Sequence, residues 1–213
     1  FDHLVRTGLP HLTESGLWFE PAFPGQVFHR RRTRASAKRV LMFYARPNNP
    51  RNLFYFGLEL LDAAIARGVL DLDAWDVVLV GKDIPELTFA DGRYTPQRLE
   101  NLSWADYAAF VGQVDLGLSL MYTPHPSYPP LDLAASGAVA VTNRFGLKHD
   151  LADRSRNIVC GDLTMASMMT ALEEGLRLAS ADDERDANAR TASLARDWPT
   201  ALAEVVARYG QVR

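Results

Sequence analysis

Short apolar runs alternate with helix-length segments along most of the chain, and this alternation constrains the fold more than any other feature. The runs that end at turn-forming residues, as buried strands do, lie at residues 39–47, 75–81, 116–122, 138–143 and 157–162. A weaker run at residues 87–90 is predicted as a further strand. Strands separated by helices predict an α/β fold with a doubly wound parallel sheet and helices on both faces.

The segments between the runs carry helix signals. Apolar residues from Phe54 to Ile65 form one helical stripe that Gly68 closes. Ser103 is predicted to cap a helix over residues 104–111. Further helices are predicted up to Gly137 and over residues 165–179, 183–196 and 201–209.

Charge and composition exclude several classes of protein. Lys and Arg number 23 against 26 Asp and Glu, a net charge of −3, so no nucleic-acid partner is expected. The hydrophobic fraction of 47% is enough for a real core. A single cysteine and scattered histidines without metal-ligand spacing predict neither a disulfide nor a bound metal, and no cofactor is expected. Residues 29–39 are the local exception, with six cations and no acid.

Polar residues that follow the predicted strands are the candidate site residues, because ligands bind beyond the carboxyl ends of such strands. Arg46 follows the first strand and Lys82 the second. Together with a helix start they can form a phosphate or pyrophosphate site. The alternatives are a surface ion pair for Arg46 and a solvated loop position for Lys82.

The stretch HPSYPPLD, residues 125–132, follows the third strand and begins a helix. Ser127 is predicted to cap that helix, with Tyr128 and two prolines in its first turn. Asp132 either complements the helix dipole or accepts hydrogen bonds from a nucleotide sugar. His125 either packs against the prolines or acts on a phosphate, or as a general acid or base.

Three blocks of sequence resemble the C-terminal donor domain of GT-B glycosyltransferases. They are YARPNNPRNLFYFGLELL, VLVGKD and LSLMYTPHPSYPPLDLAASGAVAVTN. The bacterial rhamnosyltransferases of surface-layer glycans and rhamnose-rich polysaccharides are the type that they resemble most. The resemblance covers roughly residues 39–143 and implies a Rossmann-like domain that holds a nucleotide-sugar donor, with dTDP-rhamnose as one candidate.

The resemblance implies a role for each matched position. Arg46 and Lys82 correspond to the pyrophosphate contacts and, with His125, are the predicted catalytic residues; Gly81 belongs to the same nucleotide-sugar site. Asp132 corresponds to the second acid of the E-x7-E pattern, which binds the nucleotide ribose. Ser127 and Tyr128, like His125, would surround the phosphates and the donor sugar. The first acid of E-x7-E is absent, because Pro124 occupies its position.

The resemblance also implies a division of the chain into domains. Residues 1–37 would be the end of an acceptor domain and a linker, residues 38–196 the donor domain, and residues 197–213 a helix returning to the acceptor domain. We expect a cytoplasmic enzyme that acts on a glycan or lipid-linked acceptor. The basic run at residues 29–39 either touches anionic lipid at the inner membrane face or is a solvated linker. The alternatives are a GT-B-like sugar-nucleotide epimerase and a non-catalytic doubly wound nucleotide-binding or signalling module.

Overall fold

The structure, a computed structural model, describes residues 1–31 and 37–210. Its contacts form two compact units, a smaller one of Phe1–Gly25 with Ala195–Arg213 and a larger one of Gln26–Leu194. In chain order the elements are α1 (Asp2–Thr7), α2 (Leu12–Ser15), β1 (Arg39–Ala45), a 3₁₀ turn (Pro50–Asn52), α3 (Phe54–Ala66), β2 (Trp75–Gly81), β3 (Gln97–Glu100), α4 (Trp104–Val111), β4 (Leu116–Leu118), α5 (Pro129–Ala135), β5 (Val139–Asn143), β6 (Ile158–Gly161), α6 (Met165–Ser180), α7 (Asp182–Arg190), α8 (Trp198–Ala201) and α9 (Ala203–Tyr209).

The larger unit is built on one sheet whose strands are ordered β3-β2-β1-β4-β5-β6. Every pair of neighbouring strands is parallel. The chain therefore winds outward from β1 in one direction and from β4 in the other. This is the doubly wound α/β fold that the alternation of strands and helices predicts.

The two faces of the sheet are covered by different helices. On β4, Leu116 lies beside Gly175 of α6, while the next residue, Gly117, faces Leu133 of α5. Because successive strand residues point to opposite faces, α5 and α6 lie on opposite sides of the sheet. Helix α3 contacts α6, and α4 contacts α5, so each face carries one such pair.

The third strand is not where the sequence predicts it. Residues 87–90 form no strand, and Phe89 makes only an isolated bridge with Tyr94. The third strand is β3, a mostly exposed segment that pairs with β2 at the edge of the sheet. An edge strand needs backbone partners on one side only, so it can form from polar residues. The helix predicted over residues 201–209 is α9, which begins two residues later than predicted and is preceded by the short helix α8.

Three cations in the described part of the basic run lie close to acids of the larger unit. Arg30 pairs with the buried Asp115 at 2.7 Å, and Arg39 pairs with Asp182 at 3.3 Å. Lys38 lies 3.9 Å from a carboxylate oxygen of Asp76. The predicted lipid contact falls partly on residues 32–36, which lie outside the described residues. Among the helices of the described ranges, none has the length and apolar character needed to cross a bilayer.

Candidate functional site

A cavity of about 630 Å³ opens at the carboxyl ends of the strands. Its lining includes Tyr44 from β1, Gly81 from β2 and Met121, which lies shortly after β4. The cavity therefore lies where the strand order reverses, between β1 and β4. In open α/β sheets this reversal is the usual ligand position.

Arg46 and Lys82 line this cavity side by side. Their preceding residues, Ala45 and Gly81, are register partners on neighbouring strands. The Lys82 N–H also donates to the Ala45 carbonyl at 3.4 Å. Both side chains are exposed, and neither makes an ion pair with any residue that the structure describes. They are two adjacent, uncompensated positive charges.

A third cation, Arg51, lines the same cavity, and sequence reasoning did not select it. Its Nε donates to the Asn49 side chain at 3.4 Å, within the turn that follows β1. Its position in the polar stretch after the first predicted strand could have identified Arg51 as a candidate site residue. Among the described lining residues, Arg46, Arg51 and Lys82 face a single carboxylate, that of Asp132.

Gly81 is the point where β2 passes closest to β1. A Cβ atom at this position would overlap the carbonyl oxygen of Ala45. Glycine therefore lets the two strand ends approach, which places the residues that follow them at one rim of the cavity.

Asp132 lies in the first turn of α5, as predicted, and is almost completely buried. Its Oδ2 accepts a hydrogen bond from the Tyr107 hydroxyl at 3.1 Å. Burial raises the pKa of Asp132 to about 7, and the bond from Tyr107 opposes that shift. Burial and the neighbouring Asp132 raise the pKa of Tyr107 well above its usual value, so its hydroxyl keeps its proton.

The prediction that Ser127 caps α5 is wrong. The N-cap residue is Tyr128, with no side-chain cap, and Ser127 adopts a left-handed φ of 71°. Pro129 and Pro130 have no N–H, and the next two N–H groups donate to the Tyr128 carbonyl. The start of α5 therefore offers no anion cradle, and positive charge at the cavity comes from side chains.

Ser127 and Tyr128 line the cavity, whereas His125 is not among its described lining residues. His125 is exposed, and its Nδ1 accepts the Ser127 N–H at 2.9 Å. Its imidazole thus helps to hold the tight turn before α5. A catalytic role for His125 stays a prediction.

Two aromatic residues of α4 line the cavity, although sequence reasoning did not select them. Ser103 caps this helix as predicted, accepting the Asp106 N–H at 3.1 Å. Trp104 is 62% exposed and stands edge-on to Phe28 at 6.1 Å. Tyr107 follows three positions later, on the same helix face. The three-residue spacing of Trp104 and Tyr107, directly after the predicted cap, could have indicated from the sequence that both lie on one face of the helix.

The segment that leads from β4 to α5 is held at Met121. The buried Asn143 side chain accepts the Met121 N–H at 2.8 Å and donates to its carbonyl at 3.1 Å. The Lys148 ammonium donates to the same carbonyl at 3.3 Å. Burial lowers the pKa of Lys148 to about 8. These contacts position one wall of the cavity.

The described residues contain no group of three His, Cys, Asp or Glu side chains that could hold a metal ion.

Comparison with known proteins identifies the family. Residues 39–173 match the model of "WsaF, C-terminal domain". The chain belongs to this family. It is also 33% identical over 178 residues to the O-antigen biosynthesis protein RfbC of Myxococcus xanthus, covering 83% of this chain and 13% of RfbC. The chain thus spans a small part of that curated relative.

Solved structures show the fold. A glycosyltransferase from Rickettsia africae superposes with a TM-score of 0.66 at 11% identity, covering 95% of this chain and 60% of that one. Anabaena Alr3699/HepE, in complex with UDP-glucose, gives 0.58 at 14% identity, with coverages of 89% and 57%. The predicted resemblance to a GT-B glycosyltransferase domain with a Rossmann-like fold is confirmed.

Proposed function

We propose that this chain is the donor-binding domain of a GT-B glycosyltransferase that acts in polysaccharide biosynthesis. The observation that carries the proposal is the cavity at the strand reversal, where Arg46, Arg51 and Lys82 meet one buried carboxylate, Asp132. Three cations around one acid suit a ligand with several negative charges and a few hydroxyl groups. A nucleoside diphosphate sugar has this chemistry.

Each side chain then has a separate task. Glycosyl transfer leaves a diphosphate whose negative charge grows in the transition state, and Arg46 and Lys82 stabilise that charge. Arg46 can fork two phosphate oxygens, and Lys82 acts as a point charge. Asp132 Oδ1 accepts a hydrogen bond from a hydroxyl of the nucleoside sugar. This oxygen has no hydrogen-bond partner among the described residues. The exposed Trp104 indole offers a face for the base.

The finer parts of the proposal concern the whole protein. Rhamnose is the proposed donor sugar, with a glycan or a lipid-linked acceptor bound by another domain. The cations replace a metal ion in neutralising the diphosphate. The UDP-glucose complex of HepE, a protein of the same fold, supports a nucleotide sugar as the ligand. We propose a cytoplasmic location with contact to the inner membrane face through residues 29–39.

Calorimetric titration of the chain with dTDP, UDP and GDP tests the proposal. We expect one preferred nucleotide, bound equally well with EDTA and with Mg²⁺. Arg93→Ala is the matched control, because Arg93 is an exposed cation outside this cavity, and it should leave the affinity unchanged. Binding of none of the three nucleotides would refute the donor-binding function. Binding that disappears in EDTA would refute metal independence alone.

A further inference from the structure

A buried lysine lies behind one wall of the cavity. Lys148 is 3% exposed, and its ammonium donates to the carbonyl of Met121 at 3.3 Å. Met121 lines the cavity, whereas Lys148 is not among the described lining residues. The positive charge of Lys148 therefore lies within one residue of the cavity, at a place that a ligand does not touch.

The Lys148 ammonium has no negative partner among the residues that the structure describes. The ionisable side chain that faces it is the Cys160 thiol of β6. Burial raises the pKa of this thiol, so it stays protonated and neutral at pH 7. Asp150 and Arg144 also lie near the thiol, with opposite charges, and neither makes an ion pair with Lys148. Lys148 is thus a buried positive charge without a counterion.

The fold does not need this charge. The Met121 carbonyl also accepts a hydrogen bond from the Asn143 side chain at 3.1 Å, so it has a partner without Lys148. The segments after β4 and after β5 are further joined by the rings of Tyr122 and Phe145, whose centroids are 4.2 Å apart. Burial lowers the pKa of Lys148 to about 8, which means that folding disfavours its charged form at neutral pH. The charge therefore lowers the stability of the free protein.

An anion bound in the cavity supplies the negative charge that Lys148 lacks. Between buried groups such an attraction is stronger than in water, because little solvent screens it. We infer that the Lys148 ammonium stabilises the bound diphosphate through the wall formed by Met121. It is a fourth cation of the site, behind the three that line the cavity, which are Arg46, Arg51 and Lys82. The inference rests on the proposed function.

The first test removes the charge and keeps a side chain of similar length. The ligand is UDP or dTDP, whichever the unaltered chain binds more tightly. Lys148→Met should weaken this diphosphate at least about 5-fold at pH 7 and leave the matching nucleoside within about 2-fold. Lys148→Gln keeps an N–H donor for the Met121 carbonyl without the charge, so it should lose the same affinity. Because a buried charge is removed, neither variant should melt at a lower temperature than the unaltered chain.

The dependence on pH separates a charge from a structural contact. In the unaltered chain, Lys148 is mostly charged at pH 7 and mostly neutral at about pH 9.5. The diphosphate affinities of the unaltered chain and Lys148→Met should therefore differ at least about 5-fold at pH 7 and agree within about 2-fold at about pH 9.5. The other titrating groups, on the ligand and in the cavity, are common to both proteins.

Lys38→Met is the matched control. Lys38 also donates its ammonium to a backbone carbonyl, that of Leu72 at 2.8 Å. It directly precedes β1, so it lies at the opposite end of that strand from the cavity. The diphosphate affinity of this variant should stay within about 2-fold of the unaltered chain at both pH values.

Four results would overturn the inference while leaving the donor site intact. They are an undiminished diphosphate affinity in either Lys148 variant, an equal loss for nucleoside and diphosphate, an affinity difference that persists at about pH 9.5, and a lower melting temperature of both variants. If Lys148→Met does not fold, Lys148→Gln undergoes the same measurements. Absence of nucleotide binding by the unaltered chain would instead overturn the proposed function, and this inference with it.

Discussion

Replacing Lys82 with alanine removes one of two adjacent positive charges at the rim of the cavity. The side chain is exposed and pairs with no acid in the described residues, so the change breaks no ion pair and should leave the fold unaltered. Its expected effect is a selective loss of affinity for the diphosphate. The same reasoning applies to Arg46→Ala.

The magnitude follows from distance and exposure. Two unit charges 4 Å apart interact by about 1 kcal/mol in water and by about 4 kcal/mol at an effective dielectric constant of 20. Because Lys82 is exposed, we use the lower part of this range, about 1–2 kcal/mol. The dissociation constant of a nucleoside diphosphate should therefore rise by roughly 5- to 30-fold.

The assay compares ligands that share a base and a sugar but differ in phosphate number. Calorimetry measures the diphosphate, and ligand-observed NMR measures the weaker nucleoside. Lys82→Ala should weaken the diphosphate as calculated and leave the nucleoside within about 2-fold. Raising the salt from 50 to 200 mM should shrink the difference, because exposed charges are screened. Arg93→Ala serves again as the control.

The decisive measurement is the affinity of Lys82→Ala for the nucleoside. If Lys82→Ala weakens nucleoside and diphosphate by the same factor, Lys82 does not act on the phosphates, and its effect is a general disturbance of the cavity. If the diphosphate keeps its full affinity in both Lys82→Ala and Arg46→Ala, the phosphates bind elsewhere.

Three further predictions concern stability. The folded Asp132 carboxyl keeps its proton up to about pH 7, whereas the unfolded one loses it near 3.8. The free energy of unfolding should therefore fall by on the order of 4 kcal/mol as pH rises between these values. In urea denaturation, Asp132→Asn should lack this dependence on pH, and an equal dependence in both proteins would contradict the prediction. A Cβ at Gly117 would overlap Leu133 of α5, so Gly117→Ala should cost about 1–3 kcal/mol and lower nucleotide affinity; an unchanged melting temperature would argue against it. Asp115→Ala removes the buried carboxylate that pairs with Arg30 at 2.7 Å and with Arg185 at 3.2 Å, while Arg185 keeps its 2.6 Å pair with the exposed Asp182. The unfolding free energy should therefore fall by about 3 kcal/mol in urea, the lower end of the range for a broken buried pair, and a loss below about 1 kcal/mol would show that these pairs matter little.

Elements that are marked by an apolar run or by a helix cap could be located from the sequence. The strand predicted at residues 75–81 is β2 without a shift, because its apolar run is bounded by turn residues. The cap at Ser103 is also confirmed, since a cap is an interaction over three residues. Arg46 and Lys82 were found as candidates because each directly follows an apolar run.

Two features that sequence reasoning missed, β3 and the conformation of Ser127, arise from contacts that leave no pattern in the sequence. Strand β3 forms because β2 offers it backbone hydrogen-bonding groups, and its own residues are mostly exposed. The conformation at Ser127 depends on the turn that joins β4 to α5, in which the His125 ring accepts the Ser127 N–H. Neither feature has an apolar pattern that a reader of the sequence can recognise.

The sequence by itself determined the class of fold and the order in which strands, helices and cations follow one another. The strand order β3-β2-β1-β4-β5-β6 was decided only in the folded chain, and with it the gathering of Arg46, Lys82 and Asp132 around one cavity. The contact of Tyr107 with Asp132, 25 positions apart in the chain, was likewise decided only in the folded chain. The physical reason is that periodicity and capping act between near neighbours in the chain, whereas burial, pairing and pKa depend on every group that folding brings within a few ångströms.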